Sequence, residues 1–168
     1  MNLRRRLAAC LGIIVVCGAL NLASPIVIAQ QRTLDPGEYT MLFDGTSPRT
    51  RTIELTKAPK SLDAVVTLDG EEVDAFPIDP STAFPAKGRA GLGPLLPYRP
   101  ERRTYPMFDS TSGDDVGLDY LGPGSVRGLD TYKYSAALSD GCVRTVDAER
   151  RTGRIVDEVW DCGADQWV

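Results

Sequence analysis

The 168-residue chain contains no histidine. That single absence removes Ser-His and Cys-His nucleophilic pairs and every zinc site ligated by imidazole. Positive charge is also short. Residues 30–168 carry 16 basic and 23 acidic side chains, a net charge of −7. Nucleic acid and anionic membrane surfaces both need clustered Lys and Arg, so neither is an expected partner of this part. Arg99, Arg102 and Arg103 form one local basic group, which reads as a solvated loop. No serine sits in a Gly-x-Ser-x-Gly elbow. The carboxylate pairs Asp114/Asp115 and Glu71/Glu72 are sequence neighbours, and on a strand neighbours leave on opposite faces. Neither pair makes a ready acid–base couple, so an enzyme is not expected; a carboxylate-based hydrolase is the form one would take.

What is present begins with a targeting or anchoring segment. No acidic residue precedes Asp35, and Arg4, Arg5 and Arg6 stand before an apolar run over residues 7–29, broken only by Asn21, Ser24 and Pro25. Its length suits a transmembrane helix, which needs about 20 mostly apolar residues. A signal peptide is the alternative, with residues 11–20 as its apolar region and Val27-Ile28-Ala29 as a cleavage site. Both readings export the rest of the chain, since the basic end stays in the cytoplasm. Cys10 and Cys17 lack the context of a lipidation site: the apolar run follows Cys10, and no small residue precedes Cys17. The expected division is residues 1–29 as the anchor or signal and residues 30–168 as an extracytoplasmic domain.

That domain reads as mainly β, because no window after Ala29 keeps a helical period while several alternate with period two. Residues 30–48 form an irregular lead-in with turn signals at Asp35-Pro36-Gly37 and Asp44-Gly45. Ile53 and Leu55 alternate with Thr52 and Glu54. Asp69-Gly70, between Val65-Val66-Thr67-Leu68 and Glu71-Glu72-Val73, is a type I′ hairpin signal; symmetric pairing about it puts Val66 opposite Val73. Residues 77–106 hold seven prolines, too many for a continuous helix or a central strand. Gly88-Arg89-Ala90-Gly91-Leu92-Gly93 has a nucleotide-loop look, but Pro94 follows it and no strand-then-helix context surrounds it.

From Gly128 a further strand is expected, with Tyr132, Tyr134, Ala136 and Leu138 on one face and Thr131, Lys133 and Ser135 on the other. A turn centred on Thr152 makes Cys142 face Cys162, Arg144 face Trp160 and Val146 face Glu158. Opposed strand residues lie within disulfide reach, and an exported chain oxidises. A Cys142–Cys162 bond is therefore expected, free buried thiols being the alternative. Asp109 to Asp115 has the acidic look of a calcium loop. It lacks an oxygen ligand at its fifth position, Gly113, and a glutamate at its twelfth, Tyr120. The reading preferred is an Asp-initiated turn, so no metal or cofactor is expected. Similar Asp-then-Ser/Thr tips occur at Asp79-Pro80-Ser81-Thr82-Ala83 and, more loosely, over residues 147–153. A curved antiparallel sheet of hairpins follows, one face packed and one wet.

At Tyr105-Pro106-Met107-Phe108-Asp109, Asp119-Tyr120-Leu121-Gly122 and Gly128-Leu129-Asp130-Thr131-Tyr132-Lys133-Tyr134 the chain resembles the porin PorA family of actinobacterial envelope proteins. The likeness is best over residues 104–135, and its signature residues are Tyr105, Pro106, Asp109, Gly113, Tyr120, Gly122, Gly128, Tyr132 and Tyr134. All nine read as structural. The resemblance implies an N-terminal membrane helix with a large domain outside, which favours the anchor over the cleaved signal. It also implies a second hydrophobic helix near the C-terminus, and this sequence stops at Trp167-Val168 without one.

The function expected is that of a non-enzymatic cell-envelope protein. It is single-pass, or secreted if residues 1–29 are removed, and its domain outside the membrane serves for binding. Lipid or another envelope component is the candidate ligand, and its binding residues are not evident from the sequence. A pore or pore accessory is the alternative. The short strands and the proline-rich middle argue against a membrane barrel, which needs repeated strands of about 9–11 residues with an apolar outer face. The Tyr132/Tyr134 face could line an apolar groove, but ordinary strand packing is the preferred reading.

Overall fold

Alternation governs the chain from Gly37 onward, and strands account for nearly all of its regular structure. The computed structural model describes residues 33–168 apart from Lys87 and Ala90. The expected membrane segment, residues 7–29, lies outside the described residues. Leu34–Val168 form one compact unit.

The first sheet is a meander of β1 (Gly37–Phe43), β2 (Arg49–Lys57), β3 (Leu62–Leu68) and β4 (Glu71–Ile78), in that spatial order. The second holds β5 (Tyr105–Asp109), β6 (Asp114–Val126), β7 (Leu129–Ala137), β8 (Val143–Glu149), β9 (Ile155–Cys162) and β10 (Asp165–Trp167), again each beside its sequence neighbour. Every strand pairing is antiparallel. There is no helix among the described residues. The protein is thus mainly β and antiparallel, as the alternation predicts, but its strands form two sheets instead of one curved sheet.

Proline explains the division. Residues 79–104 cannot extend either ladder, so the chain leaves the first sheet at Ile78 and enters the second only at Tyr105. The crossing segment packs between two apolar clusters. Leu95 lies against the cluster of Ile53, Leu55, Val66, Phe76 and Ile78. Leu92 and Leu96 belong to the cluster of Tyr105, Met107, Leu118, Tyr134 and Val146. Leu92 also makes a two-bond bridge with β5: its N–H donates to the Pro106 carbonyl and its carbonyl accepts from the Phe108 N–H. Arg89 ties the sheets from the side, its guanidinium stacked between Phe76 and Phe108 while it pairs with Asp74 at 2.6 Å. A second tie joins the loop after β1 to β10, where the backbones of Asp44 and Val168 exchange two hydrogen bonds of 2.9 Å.

Two registers refine the sequence reading. At the β3–β4 hairpin, Asp69 and Gly70 take φ of 52° and 87°, the positive pair that a type I′ turn demands. Val66 nevertheless faces Asp74 and not Val73, because Thr67 pairs with Glu72 and the ladder slips by one residue. Val73 is the bulged residue, and the bulge delivers Asp74 to Arg89. At the other hairpin the expected pairs form, Arg144 facing Trp160 and Val146 facing Glu158, but nearer the turn the ladder slips by one residue and Ala148 faces Ile155. Gly128 lies in the tight turn before β7 and not in the strand itself. In the β8–β9 turn Gly153 has φ of 73°, and a Cβ there would strike the Pro97 carbonyl. The tip of that hairpin therefore rests on the proline-rich segment.

Candidate functional site

The nine signature residues are built into the frame of the second sheet. Tyr105 and Tyr134 are fully buried and meet edge to face, 6.0 Å between ring centroids. Both phenols hold the segment before β5: the Glu101 N–H donates to Tyr105 Oη at 2.6 Å, and Tyr134 Oη donates to the Glu101 carbonyl at 2.7 Å. Burial, with the neighbouring phenols and Glu101 adding to it, pushes the Tyr134 hydroxyl well above its ordinary value. Tyr120 meets Tyr132 and Tyr134 edge to face, and Arg102 and Arg150 both stack on the Tyr132 ring. Pro106 supplies the carbonyl that anchors Leu92. Gly113, Gly122 and Gly128 all have positive φ, at turns or at the β6 bulge.

Asp109, a signature residue, also borders a cavity. Its carboxylate accepts from the Thr111 N–H, the Ser112 hydroxyl, and both the N–H and hydroxyl of Ser139. The aspartate thus starts a turn and pins the loop after β7. Asp79 does the same with Ser81 and Thr82. In the third tip Glu149, not Asp147, plays this part, accepting from the Arg151 and Thr152 N–H groups and the Thr152 hydroxyl. Asp147 is buried on β8 with Thr131 and Lys133. No group of carboxylates or cysteines suited to a metal occurs among the described residues.

The candidate site is a cleft of about 490 Å³ between the two sheets. Phe43, Val66 and Leu68 line it from the first sheet, Met107, Trp160 and Trp167 from the second. Against this apolar lining stands a buried ion cluster. Arg51 of β2 and Arg144 of β8 both border the cleft, and Glu158 of β9 holds the two together from β9. Arg51 makes a bidentate pair with Glu158, Arg144 Nε donates to Glu158 Oε1 at 2.9 Å, and Trp160 Nε1 donates to the same oxygen at 2.8 Å. Each of the three charged residues is no more than 6% exposed. Arg51 stacks on Phe43 and Arg144 on Trp160.

Burial pushes the Glu158 carboxyl up, but the adjoining Arg144 and Arg51 charges and their hydrogen bonds outweigh it and hold the group at about 2 against an ordinary 4.5. For Arg144 burial prevails and draws its value down, with Glu158 opposing. Asp109 is likewise depressed to about 2 from 3.8: burial opposes the shift and its Ser139 hydrogen bonds drive it. A carboxylate depressed on folding stabilises the fold above its unfolded value and loses that contribution as pH falls through its folded value. Stability should therefore hold level from about pH 5 to neutral pH and fall between pH 4.5 and about 2, Glu158 alone contributing about 3 kcal/mol. Urea midpoints measured down that range check this; a flat profile to pH 2.5 would contradict the cluster's charge state.

The disulfide joins Cys142 and Cys162 with Cα atoms 4.1 Å apart, and Cys142 borders the cleft. Sequence reasoning missed Arg51, Arg144 and Glu158 as a group. A signal was present, for Arg51 shares its face with Ile53 and Leu55, and Arg144 and Glu158 share theirs with Val146 and Trp160. Charges in step with inward apolar residues mark a buried polar contact, although alternation does not say with whom.

No curated protein matches the chain. A family model described as Porin PorA matches residues 30–153. The match takes in both sheets through β8 and every signature residue, while Glu158, Trp160 and Trp167 lie beyond it. On that coverage, the chain belongs to the porin PorA family.

Proposed function

We propose that the protein is a non-enzymatic component of the cell envelope, held at the membrane through residues 7–29, whose domain outside the membrane binds lipid or another envelope component. The observation that carries this reading is the cleft between the sheets, of about 490 Å³ and walled by aromatic and aliphatic side chains. Sites for small ligands are typically concave, mostly apolar and about 300–1,000 Å³, with a few polar groups to orient the guest. Nucleic acid is not a partner in this reading, since the exported part carries net negative charge. The test is solvent extraction of the purified full chain followed by mass spectrometry. Lipid in near-stoichiometric yield is the expected result, and an extract free of lipid would sink the proposal.

A pore or pore accessory is the second reading, favoured by the family's description. Against it stand outward-facing charges on the strands, among them Asp63, Glu71, Asp114 and Asp119, where a membrane barrel would carry an apolar band. Planar-bilayer recording with the full chain decides: steps of conductance support the pore, and silence across voltages and salts removes it.

A further inference from the structure

The floor of the cleft is rich in hydrogen-bond donors and short of acceptors. A guanidinium has only donors, and here two of them share one carboxylate, which Trp160 also uses. Beyond Glu158, Arg51 Nη2 and Arg144 Nη1 turn to the sulfurs of Met41 and Met107, each at 3.0 Å, and a thioether is a weak acceptor. Arg51 Nε and Trp167 Nε1 are buried with no partner at all, and both residues line the cleft. Buried donors in native proteins are rarely left unmatched, so these two mark where an acceptor belongs.

The charge has the same sense. Two arginines against one glutamate leave the cluster at +1. Of the four carboxylates bordering the cleft, Asp74 is paired with Arg89 and Asp109 is filled by Ser139 and the turn it starts; Glu72 and Asp140 are exposed to solvent. Compared with apolar residues of the same volume the cluster gains the fold little, since buried ion pairs are often replaceable by such residues without loss. As a recognition device it combines planar donors, fixed by packing, with an apolar wall on either side.

We propose that the cleft binds an oxyanion, a carboxylate or a phosphate, seated on Arg51, Arg144 and Trp167, with the apolar part of the molecule that bears it against Phe43 and Trp160. This deepens the binding reading given above and rests on it. Trp167 lies beyond the residues that the family model matches.

Calorimetric titration of the delipidated full chain tests the proposal with three probes: decanoate, decanol and inorganic phosphate. Decanoate should bind at least tenfold more tightly than decanol, and Trp167→Phe, which keeps an aromatic ring and removes the donor, should weaken decanoate by about tenfold, as loss of one charge-assisted bond does. Phosphate that displaces decanoate indicates a phosphate-bearing ligand; decanoate that phosphate cannot displace indicates a carboxylate. Arg51→Lys, which keeps the charge and loses the fork, is the second variant and should weaken decanoate as well. Equal affinity for decanoate and decanol overturns the proposal, as does silence from all three probes. So does wild-type affinity in both variants at an unchanged unfolding midpoint. If extraction nonetheless yields an uncharged lipid, the binding reading stands and the oxyanion falls.

Discussion

Replacing Glu158 by glutamine is expected to destabilise the protein by about 3–5 kcal/mol, the cost of leaving buried charges without their partner. Three donor groups converge on that one carboxylate, from Arg51, Arg144 and Trp160. An amide of the same shape offers one acceptor oxygen and presents its NH2 to guanidiniums that can only donate. The stability of a domain is typically about 5–15 kcal/mol, so the variant should lie near the edge of folding at 25 °C. Urea denaturation of the two proteins side by side measures the difference. The contrast that identifies the cause is the triple replacement Arg51→Met, Arg144→Met and Glu158→Leu. It removes every charge at once and should cost far less than the single change. A single variant within about 1 kcal/mol of wild type would mean that the cluster is hydrated and not the buried contact described above.

Loss of the disulfide is the second large effect. Cys142 and Cys162 are 20 residues apart, and opening a loop of that size is expected to cost about 3 kcal/mol through the entropy regained by the unfolded chain. Cys142→Ser with Cys162→Ser, or wild type held in reductant, should show the loss as a lowered denaturation midpoint. The bond joins the start of β8 to the end of β9, the same hairpin that carries Arg144, Glu158 and Trp160, so the decanoate affinity proposed above should fall together with stability. An unchanged midpoint under reduction would show that the ladder between the two strands suffices by itself.

The parts of this fold that could be read from residues alone are those set by short-range geometry. The tip of Arg151-Thr152-Gly153 and period-two alternation locate the β8–β9 hairpin and bring Cys142 opposite Cys162, although the ladder slips by one residue between Asp147 and Ala148 and that slip was not legible. Asp69-Gly70 located its turn for the same reason. The register beyond that turn was not legible, because the bulge at Val73 is favoured by a tertiary partner, Arg89, from a proline- and glycine-rich segment with no regular alternation. The separation into two sheets was hidden in the same segment: its prolines exclude a strand but do not say that it will lie between two cores. The cleft was the least visible feature. Arg51 and Glu158 are 107 residues apart, and nothing local to either says that they meet. The stretch most conspicuous in the sequence, residues 104–135 with four of the six tyrosines, went largely to the frame of the second sheet.

Trp160 and Trp167 are the only tryptophans in the chain, and both border the cleft. Intrinsic fluorescence excited at the indole band is therefore a local signal: it reports the polarity and quenching of one wall, while circular dichroism averages over the strands of both sheets. The two methods need not agree. An occupant that shields the indoles, or a change that lets water reach them, alters the emission without moving a strand. A fluorescence transition that precedes the dichroic one on heating would be the signature of sheets parting along their shared seam before either unravels. The molecule carries its own optical gauge, placed where the two halves meet.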